Sequence, residues 1–300
     1  MTFSVSSKDI AQRLDIFLRD QLGSSRREVL RLLQENCVTV NGVAVNEKAK
    51  GMPLTLNSEV IVENHERLDI VKAGEIDLSI LLTGKGFVVT DKPAGMPVMP
   101  QHYSETGTVL NSVVVNHPEL QGIGEGGLKS GVVHRLDTDT SGVLIVATSE
   151  DRWQQLRSAF KEHRSTKIYH ALVHGELRGD QKETAYLVVA QHRPAHVRVI
   201  DEKDLDNYPH ARECRLSWRV LEPLRDASLL EVTLETGFLH QIRAMFAHKS
   251  YPVLGDKRYG LNDPGIARHM LHAASLTVED IHAESPHPHD FKTLLARLRD

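Results

Sequence analysis

Nine residues, HRLDTDTSG from His134 to Gly142, set a cation and a carboxylate in a Gly-closed turn between two apolar runs. Gly131, Val132 and Val133 precede the turn and Val143 to Ala147 follow it, a pattern that places Asp137 where a buried sheet opens into a cleft. Arg135, two residues away, supplies a cation beside that carboxylate. A surface loop in which Asp and Thr merely cap turns fits the same nine letters, so other segments must decide.

The 300 residues suffice for one large domain and one small one, and 40% hydrophobic with 25% charged residues is ordinary for a globular protein. No apolar run approaches a membrane span, and the polar start MTFSVSSKDIAQRL offers no signal peptide. Cys37 and Cys214 lie far apart, outside any CxxC or Cys/His spacing, which argues for a reduced, cytoplasmic setting without disulfides or zinc. None of the 17 histidines forms HExxH and proline breaks SPHPHD, so no metal is expected. A net charge of −4 argues against coating nucleic acid by bulk electrostatics and leaves a local basic face open.

Residues 1–63 read as a small α+β module. Ile10, Leu14, Phe17, Leu18 and Leu22 share one helical face that Gly23 ends. Ser25 and Glu28 form a capping-box pattern for a second helix, with Val29, Leu30, Leu32 and Leu33 inside and Arg26, Arg27 and Arg31 outside. VTVNGVAV, with Asn41-Gly42 between β-branched runs, predicts a hairpin. A packing or dimerisation module with solvated arginines is the competing reading. Residues 64–78 lose periodicity and read as a linker.

Residues 79–300 read as a second, strand-rich α+β domain, too irregular in alternation for a doubly wound sheet. Phe87 to Thr90, Val143 to Ala147, Ile168 to His174, Ala185 to Ala190 and Leu229 to Glu235 are strand-like; Asp151 to Glu162 and Leu239 to Lys249 are helical. GIGEGG, Gly122 to Gly127, matches GxGxxG without a strand-turn-helix context and reads as a flexible loop. With no phosphate loop or nucleophile elbow either, nothing calls for a nucleotide or redox cofactor. DKPAGMPV is a stiffened turn after a strand. KIYHALVHG alternates, putting Lys167, Tyr169 and Ala171 on one face. In TGFLHQIRAMFAH, Arg243 lies about one turn beyond His240, placed to meet a carboxylate across the cleft.

SSRREVLRLLQENCVTVNGVAV, closed by SEVIV, resembles the alpha-L RNA-binding domain, which implies that Ser25, Arg26, Arg27, Arg31, Asn41, Gly42 and Val43 face RNA. KPAG, HRLDTDTSG, KIYHALVHG, HQIR, PVLGDKRYG and LHA, in this order, resemble the RluA family of RNA pseudouridine synthases over nearly the whole chain. That resemblance implies a mixed, largely antiparallel catalytic sheet, Asp137 as catalytic aspartate, Tyr169 stacking on the target uracil and Arg243 as the aspartate's ion-pair partner. It also implies that Arg135 helps displace the target nucleotide and that His134, Lys167, His240 and Gln241 bind substrate. The implied reaction breaks the C1′–N1 bond of a uridine, turns the uracil and rejoins it through C5, without a cofactor. Attack of Asp137 at C1′ and proton removal at C2′ both remain open.

Structured RNA is the implied partner, large-subunit ribosomal RNA favoured over transfer RNA, with a monomer as the default. One departure is visible: the family's Gly-Arg-Thr before HQIR is here Gly237, Phe238 and Leu239, so either a phosphate contact has moved, to Arg212 or Arg215, or the substrate differs. Two other classes compete. A non-catalytic RNA-binding or ribosome-assembly factor would not need Asp137. A hydrolase using Asp137 with Asp139 is disfavoured, because carboxylates two residues apart in a turn rarely face across a cleft.

Overall fold

The computed structural model describes residues 1–24, 26–63, 70–192 and 194–299, and of Arg27 the backbone alone. Near the N-terminus lie β1 (Thr2–Ser4), α1 (Leu14–Leu22), α2 (Arg26–Gln34), β2 (Val38–Val40), β3 (Val43–Val45) and β4 (Glu59–Val62). The strands form one sheet in the order β1-β4-β2-β3. Leu14, Phe17 and Leu18 of α1 and Val29, Leu32 and Leu33 of α2 pack on Val38, Val40 and Val60, which is why the apolar residues recur at helical spacing. Leu30 is only half-buried. Ile10 lies outside α1 and is 50% exposed: Ala11 takes a positive φ of 63° and donates to Leu54 O, so the helix begins later than periodicity suggests. The expected cap at Ser25, the Arg27 side chain and residues 64–69 of the expected linker lie outside the described residues.

The β2–β3 turn carries positive φ at both Asn41 (50°) and Gly42 (78°), as a tight right-twisted hairpin requires. The Asn41 side chain accepts from the Glu59 N–H at 2.8 Å, so it pins the hairpin to β4.

The larger sheet uses β5 (Ile80–Gly84), β6 (Phe87–Lys92), β7 (Ser141–Ala147), β8 (Ser165–His174), β9 (Asp180–His192), β10 (Ala195–Ile200), β11 (Arg212–Leu224), β12 (Ala227–Leu234), β13 (Leu271–Val278) and β14 (Ile281–Glu284). Their order is β10-β9-β11-β12-β8-β13-β7-β6-β5, with β14 on β13, and every pairing is antiparallel except β13 with β7. The fold is therefore mixed α+β with a largely antiparallel sheet. Four helices flank the sheet: α3 (Val109–Asn116), α4 (Glu150–Lys161), α5 (Gln241–His248) and α6 (His289–Arg299).

β7 is apolar at successive positions because both its faces are covered: Val143, Ile145 and Ala147 pack with Leu156 and Ala159 of α4, Leu144 and Val146 with Val109 and Val113 of α3. Helix α5 lays Ile242, Met245 and Phe246 over Tyr169, Leu216, Trp218 and Val232. At the parallel junction, a Cβ on Gly142 would stand 2.1 Å from Ala273 O, so β13 approaches this closely only because residue 142 is glycine. The loop from Val133 to Thr140 opens at that junction. GIGEGG is a series of turns tied to α4 by Gly124 N–H on Glu150 Oε2 at 2.8 Å, and it opens no α-helix, so it is a loop and not a phosphate-binding turn.

Candidate active site

The loop carrying Asp137 is held from three sides. On entry, Trp153 Nε1 and Arg157 Nη1 of α4 donate to the carbonyls of Val132 and Val133 at 3.0 and 3.2 Å. On exit, Arg268 Nη1 donates to Asp139 O at 3.0 Å, Thr140 Oγ1 lies 2.9 Å from His269 Nε2, and Ser141 Oγ lies 2.9 Å from His272 Nδ1. From beneath, Lys92 Nζ donates to Thr138 O at 2.8 Å and to the carbonyls of Pro93 and Met96, with Gly95 N–H also on Thr138 O. Lys92 is fully buried; burial pushes its ammonium down to about 7, partly offset by the charges of Asp139 and Asp137. The Asp137 carbonyl accepts from Thr140 N–H, closing the turn.

The Asp137 carboxylate emerges 22% exposed, and Arg243 Nη1 bonds its Oδ2 at 2.7 Å. Arg243 is itself aimed by Asp256, which accepts Nε at 2.7 Å and Nη2 at 2.9 Å. Asp256 is fully buried and also accepts the amides of Arg258 and Tyr259. Burial works to raise its pKa, but the Arg243 and amide bonds hold it below the ordinary carboxylate range. Burial alone would lower the Arg243 pKa; the carboxylates on both sides more than reverse that, so the guanidinium stays charged. The Tyr259 ring lies under Arg243 at 5.2 Å, and its Oη is 2.8 Å from His240 Nδ1. His240 Nε2 stands 3.9 Å from Asp137 Oδ1. Burial lowers the His240 pKa, with Asp137 partly opposing.

Tyr169, on β8, is 8% exposed and packs beneath α5. Burial, then the negative charge of Asp137, raises its phenol well above the ordinary value, so it is a neutral ring beside a carboxylate. Its hydroxyl makes no hydrogen bond among the described residues. Lys167, two positions earlier on the same face, donates to Thr236 O at 3.4 Å, and burial pushes it down to about 8. Arg135 is exposed and has no hydrogen bond or ion pair among the described residues.

Two expected substrate ligands are spent on structure instead. His134 Nε2 accepts from the Ile145 N–H at 3.1 Å and its ring stacks on Phe160 at 4.6 Å, so the imidazole serves the β7–α4 packing. Gln241 is buried; its Oε1 accepts from Thr236 Oγ1 and Phe238 N, and its Nε2 donates to Arg215 O, tying the α5 turn to β11. Phe238 and Leu239 pack against the core under α5. Of the alternative cations, Arg215 pairs with Glu213 and Glu235, whereas Arg212 is exposed and has no ion pair among the described residues. Lys92, Asp256, Arg268 and His269 were not singled out by sequence. Asp256 lies in GDKRYG, where a lone carboxylate after an apolar run is the available signal. No group of three or more His, Cys, Asp or Glu residues able to hold a metal occurs among the described residues.

The site is thus a loop carboxylate locked to a buried guanidinium, with an aromatic ring beside it. A family model described as RNA pseudouridylate synthase matches residues 86–248. An uncharacterized RNA pseudouridine synthase of Synechocystis is 34% identical, covering 98% of this chain and 91% of that one. A ribosomal large subunit pseudouridine synthase D of Nitrosomonas europaea is 31% identical, covering 96% of this chain and 85% of that one. The solved structure titled human RNA pseudouridylate synthase domain containing 4 shares the fold, with a TM-score of 0.59 at 22% identity over 74% of this chain and 93% of that one. The chain belongs to the RNA pseudouridylate synthase family, enzymes that isomerise uridine in RNA. No helix among the described residues is long and apolar enough to cross a membrane.

Proposed function

We propose that this enzyme isomerises specific uridines of structured RNA, large-subunit ribosomal RNA foremost, with Asp137 as the catalytic carboxylate. The observation that carries the reading is the division of labour between the two Asp137 oxygens. Oδ2 is held by Arg243 at 2.7 Å, while Oδ1 faces the His240 ring, whose Nε2 stands 3.9 Å away, beyond hydrogen-bond distance. Oδ1 is thus the oxygen available for attack at C1′ or for proton removal at C2′. The C1′–N1 bond breaks, the uracil turns, C5 bonds to C1′, and the proton lost from C5 is balanced by one gained at N1.

Extracting the base from a stack costs a few kcal/mol, and stacking on Tyr169 returns about 1–3 kcal/mol. The exposed Arg135 fills the gap left behind. Helix α2 and the β2–β3 hairpin, with Arg26 exposed, form the RNA face of an alpha-L-like module that contacts phosphates rather than reading sequence. Because the Asn41 side chain is engaged with β4, only its backbone turn faces RNA. Arg212 supplies a cation where Phe238 and Leu239 do not. Ribosomal RNA is favoured because a relative covering most of both chains is named for the large subunit.

Carbodiimide-adduct mapping of pseudouridine in ribosomal and transfer RNA tests this, comparing cells with the intact protein and cells with Asp137→Ala. Loss of a discrete stop in large-subunit RNA is expected; an identical map would overturn the reading.

A further inference from the structure

A cavity of about 400 Å³ adjoins Arg243 and is lined also by Asp139, Lys257, Arg258, Arg268 and His269. Its charges are unevenly compensated. Arg243 is matched by Asp137 and Asp256, and Arg268 by Asp290 at 2.6 Å. Lys257 and Arg258 are exposed and have no carboxylate partner among the described residues; Arg258 gives one Nη1 bond to Ala195 O and keeps its other donors. Asp139 is the single carboxylate lining the cavity. His269 is 4% exposed, and while Nε2 is engaged by Thr140, Nδ1 has no hydrogen-bond partner among the described residues. Two exposed cations without carboxylate partners among the described residues, at the wall of a cavity that Arg243 and Arg268 also line, make a site for an anion.

We propose that this cavity binds a phosphodiester flanking the target uridine, through Lys257 and Arg258. The inference rests on the enzyme acting on RNA, and it adds a subsite to the one built on Asp137. Geometry supplies the reason: Arg243 touches both Asp137 and the cavity, and in a nucleotide the C1′ carbon and its flanking phosphates are separated by one ribose. A sugar presented with C1′ at Asp137 therefore sends a phosphate toward the next available cations. Because Lys257 and Arg258 contact backbone and not base, they fix the register of the nucleotide without selecting its sequence.

Two measurements on the full chain test this. Tritium release from [5-³H]uridine-labelled total RNA of cells lacking the protein gives kcat and KM for the wild type, Lys257→Ala, Arg258→Ala and the double variant. The double variant is expected to raise KM about 10-fold with kcat within about two-fold, and to flatten the logarithmic salt dependence of kcat/KM by about 0.7 for one lost phosphate. Inorganic phosphate titrated against the His269 ring ¹⁵N resonance is expected to give a saturable shift that the double variant loses. Unchanged KM and salt slope, or no saturable phosphate shift in the wild type, would overturn the proposal. A wild type that releases no tritium would sink the assigned reaction instead, and the phosphate titration would still decide the subsite.

Discussion

Asp256 grips one edge of the Arg243 guanidinium, through Nε at 2.7 Å and Nη2 at 2.9 Å, and so determines that Nη1 is the nitrogen left for Asp137. An asparagine at 256 keeps the shape but presents an N–H₂ to the guanidinium. Asp256→Asn is expected to lower kcat about 100-fold through a misaimed Arg243, with RNA affinity retained. Asp256→Ala leaves a buried cation with less compensation and is expected to cost about 3–5 kcal/mol of stability by urea unfolding. Wild-type kcat in the asparagine variant would contradict the relationship.

Lys92 satisfies three carbonyls with one ammonium, and one of them, Thr138 O, follows Asp137 directly. Methionine fills similar space and donates nothing. Lys92→Met is expected to destabilise the protein by about 2 kcal/mol or more, at about 1–3 kcal/mol for each of the Pro93 and Met96 carbonyls left unpaired, Thr138 O keeping the Gly95 N–H. It should also depress kcat more than KM. Equal stability of the two proteins in urea would remove Lys92 from the support of the loop.

Tyr169 contributes a ring to the core and a hydroxyl without a hydrogen-bond partner among the described residues. Tyr169→Phe should leave unfolding free energy and RNA binding close to wild type. Tyr169→Ala opens a void beneath α5, expected to cost about 3–5 kcal/mol, and removes the stacking platform. RNA titrations of both variants separate stacking from the hydroxyl, and equal affinity of Tyr169→Ala would exclude stacking.

Burial, followed by the charge of Arg243, pushes the His269 imidazole down to about 3 from an ordinary value of 6.5. Between those values the unfolded chain binds a proton that the folded chain does not, so stability rises with pH there and is lost on acidification below about 6.5. Urea unfolding from pH 7 down to about pH 4 should show this loss, and His269→Gln should reduce its slope by up to one proton. An unchanged slope would place the acid sensitivity elsewhere.

The parts of this architecture that depend on neighbours in sequence were readable from it. The apolar run of β7, the hairpin at Asn41-Gly42 and the turn presenting Asp137 follow from period, β-branching and glycine placement. Arg243 was reached through motif order, since nothing local joins residues 137 and 243. Lys92 and Asp256 were not legible because their roles exist only after distant strands pair; in isolation each reads as a polar loop residue. The same limit explains His134 and Gln241. Their positions inside the motifs suggested substrate contact, but the Ile145 amide and the Arg215 carbonyl, invisible in one dimension, engage them first. Strand β13 was missed because LHAASLTV only weakly alternates and is stabilised by pairing with both β7 and β8.

The Asp137 carboxylate is the group assigned to perform the isomerisation. Tritium release from [5-³H]uridine-labelled RNA by Asp137→Asn, measured beside RNA binding by the same preparation, tests it most directly. Wild-type binding with no release above background is expected; release at the wild-type rate would contradict the catalytic role of Asp137.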